Sequence, residues 1–392
     1  MKYETDEYCP LTEINKTSLR NLISSQLEQF EELVHEKLKK SDIRDLHSNH
    51  LTGFHKSNFK FWESNKTLVK KIVIDGNKLD PKKIKPILLE VTTEYPERVR
   101  AFRLAKFNWS VPPSNGFGRR MRFLVWDKHH DSLIGVIGLT DPVFNLKVRD
   151  EYINWSADDR KQRLVSVLDA FMLGAVPPYS HILGGKLVAS LLNSTQISDV
   201  FQEKYKNTTG VISQISKKPK LAAITTTSVL GRSSVYNRLK LDGNLILHHI
   251  GYTSGFGHFQ FTQNIFDELK TLVIAHDIDK KAGFDFGNGP NWKIRVIREG
   301  LKILGLKQAH VKHGIKRGVY YCPHFENSEN FLNGKDSKLK NKITRTTSAL
   351  SQLAMERWML PRSQRDQSYK EFRVDNWLKS VEAKIRSSNA VR

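Results

Sequence analysis

RRMRFLVWDKHHDSLIGVIGLT, residues 119–140, holds two short apolar runs, Arg122–Asp127 and Leu133–Thr140, separated by the polar KHHDS. Two such runs joined by a short polar turn predict a β-hairpin. Gly135 and Gly138 interrupt the second run, and Asp141-Pro142 ends it. Downstream, Leu164–Leu173 suits a helix or a buried strand, because periodicity alone cannot separate the two. Residues 174–178 break that run. Ile182–Leu192 then reads as a helix opening on Gly184-Gly185, 197–205 as a short helix and 221–227 as a β-branched strand. GRSSVYNRL (231–239) resembles a helix start, and 245–251 with 257–261 predict a second hairpin around YTSGFG. Helices are expected near 262–274 and 292–304, and a strand near 318–322.

Upstream, Leu19, Leu22, Ile23, Leu27, Phe30, Leu33, Val34 and Leu38 fall at three- and four-residue steps, so 17–40 predicts an amphipathic helix. Residues 41–60 read as a polar linker and 68–75 as a short strand or helix, with a new element after Pro81. A Lys-rich linker at 333–345 precedes an amphipathic stretch to about 359 and a polar tail. The reading is an α+β chain: a mixed, mostly antiparallel sheet flanked by helices, with helical extensions at both ends. Its expected parts are a helical segment with linker (1–60), a core (61–330) and a basic helical tail (331–392).

The charge points to partners. The 392 residues include 63 basic against 41 acidic side chains, a net of +22, and 39% are hydrophobic, enough for a packed core. A field of that size attracts polyanions. It is uneven: residues 1–60 hold nine basic and ten acidic groups, while 331–392 hold fourteen against six. No apolar run is long enough to span a bilayer, and the acidic start MKYETDEYCPLTE lacks the pattern of a secretory signal. Two cysteines, Cys9 and Cys322, make neither a disulfide framework nor a cysteine zinc site. The expectation is a cytoplasmic, nucleic-acid-attracted protein with no membrane association.

Four motifs offer chemistry. In VPPYSHILGGKLVASLL (176–192) the paired glycines open a helix, a geometry that suits an anion at Gly184, Gly185 and Lys186. The spacing is neither that of a Walker loop nor G-x-G-x-x-G. TTTSVLGRSSVYNRL (225–239) places Arg232 and Ser233 where an anion or an N-cap fits. NGFGRRMRFLVWD (115–127) interleaves Arg119, Arg120 and Arg122 with aromatics, a combination that grips phosphates and stacks bases. In GLKQAHVKHGIKRGVYYCPH (305–324), Lys312, Lys316 and Arg317 offer further phosphate contacts, and the histidines show no tight metal spacing. Asp141 and His181 bracket the glycine turn as acid or base candidates.

The runs RRMRFLVWD, LIGVIGLTDPVFNLKVRDEYINW, LDAFMLGAVPPYSHILGGKLVASLL and TTSVLGRSSVYNRL resemble the DruA family across residues 60–325. That resemblance implies a cytoplasmic antiphage defence component acting with DruB, DruC, DruD and DruE. The element order over about 118–262 is also similar to the GNAT acyltransferase fold. That likeness implies a pyrophosphate or acyl-CoA site at the glycine turn and a proton-donating role for Tyr236. His181-x-x-Gly184-x-Lys186 departs from the acyltransferase pattern at its first and last positions. Three functions follow as expectations: a DNA-binding and DNA-processing subunit, a group transferase acting on DNA or protein, and a non-catalytic scaffold. The residues alone select neither acyl-CoA nor a divalent metal as cofactor.

Overall fold

The computed structural model describes residues 13–35, 39–209, 216–241, 243–258, 260–276 and 292–390. Its helices, in chain order, begin with α1 (Glu13–His35), α2 (Lys40–Leu46), α3 (Ser48–Ser57), α4 (Phe59–Ile72) and α5 (Pro96–Ala105). They continue with α6 (Lys147–Ile153), α7 (Ala157–Arg163), α8 (Gly184–Ser190), α9 (Thr195–Tyr205), α10 (Gln263–His276) and α11 (Trp292–Ile303). After these come α12 (Ser328–Leu332), α13 (Thr347–Ala354), α14 (Leu360–Arg365) and α15 (Val374–Ala390). The main sheet uses β1 (Pro86–Glu90), β2 (Arg120–Asp127), β3 (Ser132–Thr140), β4 (Val167–Ala175), β5 (Ala223–Ser228), β6 (His248–Tyr252) and β7 (Gly318–Pro323). The chain forms two compact units, residues 1–50 with 254–316, and 51–253 with 317–392.

In the larger unit the seven strands lie in the order β1-β2-β3-β4-β5-β7-β6. Every neighbouring pair is antiparallel except β4–β5, which runs parallel through Val167↔Ala223, Leu168↔Ile224 and Asp169↔Thr225. The fold is therefore α+β with a mostly antiparallel sheet. The predicted hairpin is β2–β3, and its turn is locked by chemistry. Buried Asp127 accepts from the Tyr179 hydroxyl (2.8 Å), from His130 Nδ1 (2.6 Å) and from the amides of Lys85 and His129. β3 is buried along its whole length, which marks it as central. Gly135 is required there, because a Cβ would lie 2.4 Å from the Gly174 carbonyl oxygen of β4.

Each sheet face carries its own core. Met121, Phe123 and Val125 of β2 pack with Leu187, Leu191, Ile197 and Phe201 from α8, α9 and the turn between them, and with Leu350 of α13. Leu124 of the same strand, together with Val136 and Met172, faces Trp62 and Val69 of α4, Phe102 of α5 and Leu378, Val381 and Ile385 of α15. Trp62 is fully buried, with Phe107 at 4.7 Å and Trp377 at 6.2 Å between ring centroids.

Several expectations are corrected. Residues 41–60 are helical rather than linker, spread over α2, α3 and the start of α4. Leu164–Leu173 is chiefly strand, since β-branched Val167 and the pairing of β3 and β5 on both sides outweigh the helical spacing. Residues 231–239 form turns rather than a helix. Ser233 Oγ accepts the amides of Val235 and Tyr236 (3.2 Å each), but Arg238 at φ 60° breaks any continuation. The second hairpin does not form: β6 pairs with β7 instead, and 257–261 contains no strand among its described residues. The polar tail is structured, since α15 buries Val374, Leu378, Val381 and Ile385. Cys9, Leu38 and residues 213–215 of the basic loop at 213–220 lie outside the described residues.

The smaller unit is helical. Leu19, Ile23 and Leu27 of α1 pack with Ile265, Phe266, Leu269 and Leu272 of α10 and with Ile294, Val296, Ile297 and Leu301 of α11. No helix among the described residues is long and apolar enough to cross a membrane.

Candidate phosphate-binding site

The strand register assembles a polar row. Arg120, Thr140, Asp169, Thr225, Tyr321 and His248 are successive cross-strand partners on β2, β3, β4, β5, β7 and β6. Direct partners share a sheet face. With strands about 4.8 Å apart, Arg120 and Asp169 lie roughly 10 Å apart at the backbone. Asp169 holds the middle. Its Oδ1 accepts from Thr225 Oγ1 at 2.7 Å, and burial pushes its carboxyl up to about 6 against the milder pull of Thr225 and the Arg149 charge. Only a rim of the residue reaches solvent.

Arg149 is fully buried and works on the neighbouring loop. It donates to the carbonyls of Val143 and Phe144 (2.9 Å each) and pairs with Asp150 at 2.6 Å. Asp150 in turn holds Arg160 at 2.9 Å.

At the open end of β2, four cations converge. Arg103 and Lys106 come from α5 and the turn after it, Arg120 and Arg122 from the strand. Burial and the charges of Arg122, Arg103 and Arg120 push the Lys106 ammonium down to about 8. Lys106 Nζ donates to Asn115 Oδ1 (2.9 Å), Arg120 Nη2 to the Gly116 carbonyl (3.3 Å), and Arg103 and Arg122 lie over the rings of Phe61 (3.7 Å) and Phe102 (5.8 Å). None of the four makes an ion pair among the described residues. Exposed Arg103 and Arg120 and half-buried Lys106 and Arg122 leave a positive site, suited to phosphate oxygens.

Arg119 turns elsewhere. Its Nε and backbone amide donate to Asp141 at 2.7 and 2.9 Å, and its guanidinium lies over Phe201 and Tyr205. Gly118 permits this clamp: it sits at φ +64°, and a Cβ there would meet the Asp141 carboxylate at 2.1 Å. Asp141 thus fixes the loop that presents Arg120.

The glycine turn and the 232–238 loop come together, and they engage each other. Lys186 Nζ donates to the carbonyls of Ser234, Val235 and Asn237 at 3.1–3.2 Å, and a Cβ on Gly185 would face the Val235 side chain at 3.4 Å. Gly184 is buried against Tyr179. The chain's own loop thus takes up Lys186, the cation that an acyl-CoA pyrophosphate would need at this turn, so the residues do not fit that group. Exposed Arg232 adjoins Ser233, whose amide donates to the Tyr320 hydroxyl (2.8 Å). Tyr236 packs its ring on Tyr320 and donates to the Leu173 carbonyl (3.4 Å), with burial holding its phenol well above the usual range. His181 lies 6.1 Å from the Phe372 ring, and burial lowers its basicity. Asp141, His181 and Tyr236 therefore serve three separate surroundings.

Lys312 and Lys316 are exposed in the helical unit, whereas Arg317, in the sheet unit, is mostly buried. Among the described residues no group of three or more His, Cys, Asp or Glu side chains could hold a metal ion.

Sequence reasoning missed Arg103, Lys106 and Asp169. The first two were signalled by three-residue spacing with Arg100 in PERVRAFRLAKFN, and the third by a lone acid inside the apolar run VSVLDAFML.

The family model for "Druantia protein DruA" matches residues 37–334. A protein of that description from Escherichia coli (strain UMEA 4076-1) is 45% identical over 340 residues, covering 84% of this chain and 82% of its own. No solved structure matches. The match spans both the arginine strand and the parallel seam: the chain belongs to the DruA family.

Proposed function

We propose that this chain is the DruA component of a Druantia-type antiphage defence system in the cytoplasm and engages DNA through Arg103, Lys106, Arg120 and Arg122. The observation that carries this reading is the convergence of four cations with no carboxylate partner among the described residues, their charges adding to the burial that depresses Lys106. Uncompensated charge of that density is costly in the free protein and is relieved by phosphate. The other Druantia proteins, DruB to DruE, are the expected assembly partners.

The test is a mobility shift of duplex DNA over a salt series. Arg120→Glu with Arg122→Glu should weaken binding at least tenfold and flatten the salt slope, by about 0.9 per lost phosphate contact. Unchanged affinity and slope would overturn the assignment.

Asp169 supports a second reading, DNA processing with proton transfer in the polar row, because its carboxyl keeps a proton to about pH 6 beside that site. Incubating the protein with supercoiled plasmid, with and without magnesium or manganese, tests it: nicking lost in Asp169→Asn supports processing, and an intact plasmid counts against it. Group transfer at Gly184, Gly185 and Lys186 has less support, given the loop carbonyls that hold Lys186. A scaffold role predicts that defence survives loss of both charge and Asp169.

A further inference from the structure

The helical unit carries a second basic surface, one built around an aromatic ring. Residues 292–316 hold seven basic side chains and one acidic. α11 buries Ile294, Val296, Ile297 and Leu301 in the unit's core, which turns Arg298 and Lys302 outward. Arg298 places its guanidinium 5.1 Å from the centroid of Phe256, a ring that stays 45% exposed. Phe256 is bridged to Lys312 as an antiparallel pair, so the two side chains lie side by side on one face. The segment is held on both flanks: the Gly257 amide donates to the Val311 carbonyl (2.9 Å), Gly314 to Gly255 (3.1 Å), and Gln260 Nε2 to His310 (2.6 Å). Lys307, Lys312 and Lys316 are exposed and make no ion pair among the described residues.

A large ring held at the surface by a braced segment, against a guanidinium and amid lysines, fits a ligand with flat apolar faces and a polyanionic backbone. We infer that Phe256, Arg298 and Lys312 form a single-stranded nucleic-acid site in which a base stacks on Phe256 while the cations follow the phosphates. An acidic peptide would satisfy the lysines and leave the ring unused. This inference is independent of the cluster on β2, which contains no aromatic at comparable exposure.

The experiment uses the full-length chain carrying Arg120→Glu and Arg122→Glu, so that the sheet unit's cluster is silent. Fluorescence anisotropy follows a labelled 20-nucleotide oligothymidine and the corresponding 20-base-pair duplex. Adding Phe256→Ala should weaken oligothymidine binding roughly 5- to 100-fold and leave the duplex within twofold. Phe256→Tyr, which keeps the ring, should restore binding and report that the fold is intact. The inference is overturned if Phe256→Ala leaves oligothymidine affinity within twofold, if it weakens both probes alike, or if polyglutamate displaces oligothymidine as well as an unlabelled strand does. If the parent double variant binds duplex as tightly as the natural chain, the assignment on β2 fails while this one is still judged on Phe256.

Discussion

Lys106 is the member of the β2 cluster whose charge is most easily changed. With its ammonium pushed down to about 8, it is mostly protonated at pH 7 and mostly neutral at pH 9. A cationic site therefore loses one charge as pH rises through 8, and DNA affinity should fall over that range by more than bulk lysine titration allows. Lys106→Arg, which stays charged, should flatten the profile, measured as the dissociation constant at fixed ionic strength from pH 7 to 9.5. Asp169 and His324 form an opposed pair. Burial raises Asp169 to about 6, so the folded state holds its proton more tightly than the unfolded chain. The stability this lends is present below about pH 4 and lost as pH rises through 6. Fully buried His324 is pushed down to about 4, its Nδ1 2.8 Å from Ser198 Oγ and its Nε2 2.9 Å from the Leu192 carbonyl. Stability from that residue is present above pH 6.5 and lost as pH falls toward 4. Each shift corresponds to roughly 3 kcal/mol, and the slopes nearly cancel between pH 4 and 6. Urea midpoints should therefore rise on acidification in His324→Gln and fall more steeply than in the natural chain in Asp169→Asn. Parallel pH profiles in all three would refute the assignment.

Elements were legible where one period dominated. β2 and β3 alternate or run fully apolar between turn residues, and α1, α10 and α11 repeat at helical steps. Legibility failed where tertiary partners decide. β4 was ambiguous because its register with β3 and β5, absent from any local window, fixes it as strand. The run at 257–261 was apolar for the helical core, which buries Phe261, and not for a sheet. α15 falls in a tail that reads as basic and polar because polar residues fill the gaps between its buried positions, although Val374, Leu378, Val381 and Ile385 repeat at helical steps. Ile385 is 1% exposed. Ile385→Ala should accordingly cost about 2–5 kcal/mol in urea unfolding, whereas a truly polar tail would show a change within 0.5 kcal/mol.

At the scale of the molecule, composition predicted an affinity for polyanions but not its location. Of the arginines singled out beside β2, Arg120 and Arg122 reach the cluster, while Arg119 is spent on Asp141, a pairing 22 residues apart that no linear motif encodes. Arg103 and Lys106 share a three-residue spacing that the sequence displays, but their approach to Arg120 and Arg122 comes only from the packing of α5 on β2. The chain's division into two units has a bearing on how it is made. α1 emerges from the ribosome more than 200 residues before α10 and α11, the helices that bury its apolar stripe. At 5–20 residues per second, that stripe waits roughly 10–50 s on the nascent chain, long enough for a cellular chaperone to find it. Depleting the chaperones that act on nascent chains should therefore lower the yield of folded protein at an unchanged level of its messenger RNA.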